Sequence, residues 1–230
     1  MAGTDDTQPK IAELGDYLLN KQAEQPSTQK RTIVAIAGIP GSGKTRVSQL
    51  LCEYLNRLGE ICAMAPMDGF HFTKAQLQQQ ASAKGIAPST LLSRRGAHWT
   101  FDSEGFVSAI TRLHKHSDAT HLLPSFDHTI GDPVADKIAI HPHHRIVLVE
   151  GNYVHLSMRP WNEIGLIADE MWWIAPRSKE VCSNRLAARH VHAGLSESID
   201  AAKTRIGSND ALNGDFAESN RLPPSRTILN

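Results

Sequence analysis

The sequence is poor in cysteine and has no net charge, and each shortage argues against a class of protein. Its three cysteines, Cys52, Cys62 and Cys182, are an odd number without a Cys-x-x-Cys pair. This argues against a disulfide framework or a cysteine-built zinc site and favours a reducing, cytoplasmic compartment. Lys plus Arg and Asp plus Glu number 24 each, so no electrostatic attraction to nucleic acid is built in. We therefore predict no nucleic-acid partner.

Long apolar runs are also missing. No segment approaches the ~18 consecutive apolar residues of a membrane span, so we predict no membrane partner. Hydrophobic residues make up 40% and charged residues 21% of the 230 residues, which is ordinary globular usage and excludes a wholly disordered chain. We predict an N-terminal helix and linker at 1–30, followed by one domain at 31–230.

Alternating strand and helix patterns predict an α/β unit. Apolar, β-branched runs predict strands at 32–37, 61–67, 145–149, 170–174 and 227–229. Helical spacing predicts helices at 44–58, 76–84, from 102 or 103, 178–192 and 197–206. The polar stretch at 22–30 predicts the linker.

The strongest motif lies between the first strand and the next helix, where the pattern G-x-x-x-x-G-K-[ST] is satisfied. Its glycines allow backbone N–H groups to surround phosphate oxygens at a helix N-terminus. Lys44 would bridge the β- and γ-phosphates, and the Thr45 hydroxyl would bind their Mg²⁺. The predicted nucleotide-binding residues are Gly38, Ile39, Pro40, Gly41, Ser42, Gly43, Lys44 and Thr45.

Two acidic residues follow predicted strands. Glu150 directly follows the strand at 145–149, where a nucleotide-binding enzyme needs an acid near Mg²⁺. A solvated acid at a strand end or a helix cap is the alternative. Asp68 follows the strand at 61–67 and is a candidate general base for an acceptor hydroxyl. An Asp-Gly turn that only closes the strand is the alternative there.

Arginines form two further candidate groups. Arg185 and Arg189 lie four residues apart, so both could close over the phosphates from one helix face, or simply form a solvated basic face. Arg94 and Arg95 could hold an anionic substrate or be exposed. The spacing alone does not decide either case.

Further strings bear on the family of the chain. Taken with the phosphate loop, Asp68-Gly69-Phe70-His71 and Glu150-Gly151, the chain resembles the uridine kinase, phosphoribulokinase and bacterial pantothenate kinase superfamily. It is most similar to fungal ATP-dependent kinase-like proteins related to bacterial fructose-transport-system kinases. The supporting strings are Arg94-Arg95-Gly96-Ala97, Thr100-Phe101-Asp102, Pro124-Ser125-Phe126-Asp127-His128, Asp132-Pro133-Val134, Glu150-Gly151-Asn152-Tyr153 and Asn209-Asp210.

The resemblance implies a P-loop NTPase three-layer fold with a five-stranded parallel core and a helical lid at about 178–206. It implies ATP and Mg²⁺ as cofactors, a small-molecule hydroxyl as acceptor, and Asp68 as the base. By the same resemblance, the residues that would line the acceptor pocket are His71, Arg94, Asp127 and His128. Arg185 and Arg189 would belong to the lid.

Two functions from different classes follow. The first is an ATP-dependent small-molecule kinase. The second is a nucleotide-binding, kinase-like regulatory or degenerate protein without transfer activity, including one attached to a fungal secondary-metabolite pathway. A GTPase is disfavoured because no Asn-Lys-x-Asp string follows the phosphate loop. The acceptor and the oligomeric state have no signal in the sequence.

Overall fold

A computed structural model of the chain describes residues 8–25, 30–127 and 129–230, and a five-stranded parallel sheet lies at its centre. The strands, numbered along the chain, are β1 (Thr32–Ala37), β2 (Cys62–Pro66), β3 (His121–Asp127), β4 (Asp132–Ile140), β5 (Ile146–Glu150), β6 (Glu170–Ala175) and β7 (Arg226–Leu229). The central sheet has the order β2-β5-β1-β6-β7, and β3 and β4 form a separate antiparallel hairpin. The predicted five-stranded parallel core is confirmed.

Helices cover both faces of this sheet. They are α1 (Gln8–Ala23), α2 (Lys44–Asn56), α3 (Lys74–Ala83), α4 (Pro88–Ser93), α5 (Ser103–Lys115), α6 (Ile164–Ile167), α7 (Lys179–His192), α8 (Ile199–Ser208) and α9 (Asp210–Ser219). Successive residues of β1 alternate between two core layers. Val34 and Ile36 pack with α1 and α2, whereas Ile33 and Ala35 pack with α5. These layers confirm the three-layer architecture.

The parallel register brings the carboxyl ends of several strands to one edge. Ile36 of β1 and Pro66 of β2 both pair with Glu150 at the end of β5. All residues of β1 and β5 are buried, which explains why both strands are apolar except for Thr32 and Glu150 at their ends. The segments that follow β1, β2 and β5 therefore start side by side.

Most predicted elements lie within two residues of the observed ones, and caps explain the differences. α3 begins at Lys74 because the Thr73 side chain accepts a hydrogen bond from the Gln76 N–H at 3.1 Å. α8 begins at Ile199, later than predicted, because the Ser198 side chain caps it in the same way. α1 continues to Ala23, into the stretch predicted as linker, and 26–29 lie outside the described residues.

The β3–β4 hairpin and helix α9 were not predicted. The hairpin strands contain Pro124 and Pro133 and are only partly buried, so neither composition nor alternation indicates a strand. α9 contains Gly214, which weakens a helical pattern. A Cβ at Gly214 would lie 3.2 Å from Cδ of Pro40, so close packing on the phosphate loop favours glycine there.

A buried arginine, Arg31, joins the elements at the other edge of the sheet. Its side chain is fully buried, and its five N–H donors match five main-chain carbonyl oxygens at 2.9–3.4 Å. The acceptors belong to Leu113, His116, Ala119, His141 and His144. The end of α5 and the segment after β4 are thereby tied to the start of β1.

Glu170, at the start of β6, is a buried carboxylate with four donors. Oε1 accepts from the Tyr17 hydroxyl at 2.6 Å and from the Lys21 ammonium group at 2.5 Å, both on α1. Oε2 accepts from Trp172 and Ser225. Burial raises the pKa of Glu170, but these hydrogen bonds outweigh it and lower the pKa to about 2.

This carboxylate predicts an acid-dependent loss of stability. Because the folded pKa lies below the unfolded value of 4.5, the stabilisation is complete above that value and is lost as the pH falls towards 2. We expect about 3 kcal/mol of unfolding free energy to disappear over this range. Urea unfolding from pH 7 to pH 3 measures the part of this loss, about 2 kcal/mol, that is complete by pH 3. Glu170→Gln should flatten this dependence, whereas the exposed control Glu197→Gln should not; equal pH profiles for both variants would contradict the assignment.

Among the helices that the structure describes, none combines the length and the apolar character that a bilayer crossing requires.

Candidate functional site

The loop from Gly38 to Gly43 joins β1 to α2, as the motif predicts. Gly41 and Gly43 have φ of +79° and +88°, the left-handed region that favours glycine. A Cβ at Gly41 would also lie 2.6 Å from the carbonyl oxygen of Cys182 on α7. Among the described residues, the buried Ser42 hydroxyl has no hydrogen-bond partner. The loop thus has the left-handed glycine conformation that an anion cradle requires.

A cleft of about 220 Å³ opens between this loop and α7. Within the described part of the chain, it is lined by Gly41, Gly43, Lys44, Thr45, Arg46, Arg185, Leu186 and Arg189. Four of these side chains are cations and none is an acid, so the cleft suits a polyanion such as a nucleotide phosphate chain. A larger groove of about 570 Å³ lies along the outer side of α2, away from the loop. We assign the site to the cleft because of its charges and its loop.

Thr45 and Glu150 meet at the carboxyl edge of the sheet. The Thr45 hydroxyl donates to Oε1 of Glu150 at 3.2 Å. Burial raises the pKa of Glu150 to about 7, and the charge of Asp68 acts in the same direction, whereas Lys44 opposes it. A buried carboxylate beside a hydroxyl and a phosphate cradle is an oxygen donor set that could hold a divalent cation.

Asp68 lies in a 3₁₀ turn, Met67–Phe70, directly after β2. This turn packs on the one that follows β5, because a Cβ at Gly151 would overlap Met67. The Asp68 side chain is exposed, and its charge reaches Glu150. The structure therefore places an exposed carboxylate beside the Thr45–Glu150 pair.

Arg185 and Arg189 both lie on α7 and both line the cleft, as their spacing allows. Nη1 of Arg185 is 3.6 Å from the point that a Cβ of Gly43 would occupy. The charge of Arg189 lowers the pKa of Glu150. The two guanidinium groups thus face the phosphate loop.

Of the predicted acceptor residues, His71 lies next to Asp68, because its Nδ1 is 2.8 Å from the Asp68 main-chain carbonyl oxygen. The His71 ring contacts the rings of Phe101 and Phe126, with centroid distances of 3.9 and 4.8 Å. Asp127 ends β3, and its Oδ1 accepts from the Thr129 N–H at 2.8 Å, within the hairpin turn. His128 lies outside the described residues.

Tyr153 and Asn213 received no role from the sequence. The Tyr153 hydroxyl donates to the Gly96 carbonyl at 2.7 Å. Burial raises the pKa of Tyr153, and the charges of Arg94, Asp210 and Asp68 act on the same phenol. Asn213 is buried and accepts a hydrogen bond from Arg94 at 3.2 Å. Neither residue has a spacing signal, because their partners are distant in sequence.

Comparison with known proteins gives the family of the chain. No protein-family model matches it. A Schizosaccharomyces pombe protein provisionally named a uridine kinase is 37% identical over 211 residues, covering 91% of this chain and 87% of its own. The chain belongs to the P-loop kinases of the uridine kinase superfamily. This membership confirms the resemblance in the sequence motifs.

Two further comparisons agree with membership in the P-loop kinases. An ATP-dependent kinase-like protein of Aspergillus versicolor is 41% identical over 165 residues, covering 70% of this chain and 92% of its own. A crystal structure from a Silicibacter species, provisionally named a fructose transport system kinase, is 30% identical with a TM-score of 0.79. That match covers 95% of this chain and 98% of the other.

Proposed function

We propose that this P-loop kinase transfers the γ-phosphate of ATP, with Mg²⁺, to a hydroxyl group of a small-molecule metabolite. The observation that carries the proposal is the exposed carboxylate of Asp68 beside the Thr45–Glu150 pair, at the edge of a cationic phosphate cleft. Phosphoryl transfer requires a cradle, a cation site and an acceptor-side carboxylate at one place. The family membership supports the same activity.

The residues present fit ATP with Mg²⁺. When bound, the cation offsets phosphate charge and helps to orient the transferred group. Thr45 and Glu150 would hold it through their oxygens, and Lys44 would bind the β- and γ-phosphates. The left-handed backbone at Gly41 and Gly43 would turn the loop N–H groups towards the phosphate oxygens.

Asp68 would act on the acceptor, and the arginines of the predicted lid would act on the phosphoryl group that is transferred. Asp68 would orient the acceptor hydroxyl and accept its proton, because the carboxylate is exposed and lies next to the cation site. Arg185 and Arg189 would stabilise the charge of the transferring phosphoryl group. Both already face the phosphate loop.

The proposal is tested by measuring ATP consumption with Mg²⁺ across a panel of nucleosides, sugars, pantothenate and hydroxy acids. We expect at least one compound to stimulate ADP formation and to become phosphorylated, as detected by mass spectrometry. ATP binding without phosphorylation of any alcohol would instead favour the nucleotide-binding regulatory function.

Lys44→Ala should weaken ATP binding about 10- to 100-fold, because the β- and γ-phosphates lose a charge-assisted hydrogen bond. Isothermal titration of the folded variant with ATP and Mg²⁺ measures this loss. Lys137→Ala, which removes an exposed ammonium group on β4, is the matched control and should bind ATP normally. Unchanged affinity in Lys44→Ala would contradict the assigned phosphate contact.

A further inference from the structure

Arg94 and Arg95 follow one another at the end of α4, but their surroundings differ in charge. Arg95 donates to the Asp132 carboxylate at 2.6 Å, and its guanidinium lies 5.5 Å from the centroid of the Phe126 ring. It also donates to the carbonyl of Gly131 in the hairpin turn. The charge of Arg95 is therefore compensated, and this side chain holds the hairpin in place.

Only neutral groups hold the guanidinium of Arg94. Nη1 donates to the carbonyl oxygen of Ser208 at 2.8 Å, and Nη2 donates to Oδ1 of Asn213 at 3.2 Å. Across residues 8–25, 30–127 and 129–230, no carboxylate lies within 4.0 Å of Arg94. Within the described part of the chain, its positive charge is thus held by neutral hydrogen-bond acceptors and has no carboxylate in direct contact.

Hydrogen bonds fix the orientation of the Asn213 amide. Because a guanidinium only donates, Oδ1 of Asn213 faces Arg94, and Nδ2 donates to Oδ1 of Asn209 at 3.3 Å. Asn209 in turn donates to the main-chain carbonyl of Arg95 at 3.0 Å. Both asparagines are buried, with 5–6% exposure. This chain of amides holds Arg94 in one orientation.

The same contacts place Arg94 beside the reacting groups. Gly214, next to Asn213, packs on the phosphate loop: its Cβ would lie 3.2 Å from Pro40 and 3.3 Å from Ile39. Tyr153 contacts both segments: its main-chain N–H donates to Sδ of Met67, next to Asp68, at 3.5 Å, and its hydroxyl donates to the carbonyl of Gly96, two residues after Arg94, at 2.7 Å. Arg94 and Asp68 therefore flank one region next to the phosphate loop.

We propose that Arg94, positioned by Asn213, binds an anionic group of the phosphate acceptor, so the substrate is an alcohol that also carries a carboxylate or a phosphate. This inference rests on the proposed function. The anion would be bound at Arg94 while the hydroxyl is presented to Asp68. A neutral alcohol would leave a guanidinium in the site without its partner, which disfavours it.

The test compares acceptors that share a skeleton and differ in charge. One series is glycerol, glycerate and glycerol 3-phosphate, and the other is glucose, gluconate and glucose 6-phosphate. Each compound is assayed for phosphorylation by the full chain with ATP and Mg²⁺. Binding is measured in parallel by thermal shift in the presence of a non-hydrolysable ATP analogue.

Three protein variants are assayed with the same compounds. Arg94→Gln removes the charge. Asn213→Asp adds a carboxylate against an intact Arg94, and so neutralises the cation without removing it. Arg112→Gln, on the exposed side of α5, is the matched arginine control.

We expect at least one anionic compound to exceed its neutral counterpart in kcat/KM by about tenfold or more. Arg94→Gln and Asn213→Asp should raise KM for that acceptor about 10- to 100-fold, with KM for ATP unchanged. A KM effect confined to the acceptor distinguishes positioning by Asn213 from a general loss of folding. The more effective anion shows whether a carboxylate or a phosphate is preferred.

Other results would overturn the inference. Equal transfer to the neutral compounds would reject the anionic acceptor and leave the kinase activity standing. A raised KM for ATP in Arg94→Gln would assign Arg94 to the nucleotide instead. If no compound is phosphorylated, anion binding that disappears in Arg94→Gln would support the anion site and count against the kinase. Binding of none of the four anionic compounds would reject the site.

Discussion

Asp68→Asn is expected to lower kcat about 10²- to 10⁴-fold, the usual contribution of a general base, while leaving ATP binding intact. Asparagine has nearly the shape of aspartate, but it cannot take the proton of the acceptor hydroxyl. The exposed Asp68 carboxylate lies outside the core, so the fold should be unaffected. Steady-state kinetics with a confirmed acceptor and titration with ATP measure the two quantities separately.

The matched control is Asp118→Asn, which makes the same change at an exposed position before β3. It should have the activity of the unaltered protein. Full phosphorylation by Asp68→Asn would show that another group, or no protein group, takes the proton. Loss of ATP binding in the same variant would mean that Asp68 serves the nucleotide.

Arg31→Met is expected to lower the free energy of unfolding by about 3 to 5 kcal/mol. Methionine fills much of the volume but donates no hydrogen bond, so five buried or partly buried carbonyl oxygens lose their partner. The unfolding free energy of Arg31→Lys should lie between those of the unaltered protein and Arg31→Met, because an ammonium group has three donors instead of five. Urea unfolding at pH 7 measures all three proteins.

Arg112→Met, an exposed substitution on α5, should change the unfolding free energy by less than about 0.5 kcal/mol. If Arg31→Met proved as stable as this control, water or a shifted main chain would satisfy the carbonyls, and the arginine would not be needed for stability.

The nucleotide half of the site could be predicted from the sequence because its signals are local. The phosphate loop needs glycine at Gly41 and Gly43 for left-handed backbone, and the strand and helix around it have clear apolar patterns. The positions of Glu150 and Asp68 could be predicted because Glu150 is the last residue of an apolar strand and Asp68 comes just after another, in one parallel sheet. In such a sheet the carboxyl ends of the strands lie at one edge, so a residue at the end of a strand can be assigned to that edge from the sequence.

The acceptor side could not be predicted in the same way. Arg94 and Arg95 are identical in type and adjacent in sequence, yet one is paired with Asp132 and the other is held by Asn213. These partners lie 37 and 119 positions away in the sequence. Arg31 likewise depends on carbonyl groups, which no side-chain pattern can indicate. Contacts of this kind depend on tertiary structure alone.

The path of the chain between β2 and β5 has a consequence for how such an enzyme can diversify. The two strands are hydrogen-bonded neighbours, yet 67–145 separate them in sequence, and this one excursion carries Asp68, His71, Arg94 and the β3–β4 hairpin. Insertions, deletions or exchanges on either side of α5 can therefore remodel the proposed acceptor pocket, while the strand register that positions the phosphate loop is inherited unchanged. Chimeras that exchange both 67–102 and 116–145 between relatives would transfer the substrate preference together with these segments.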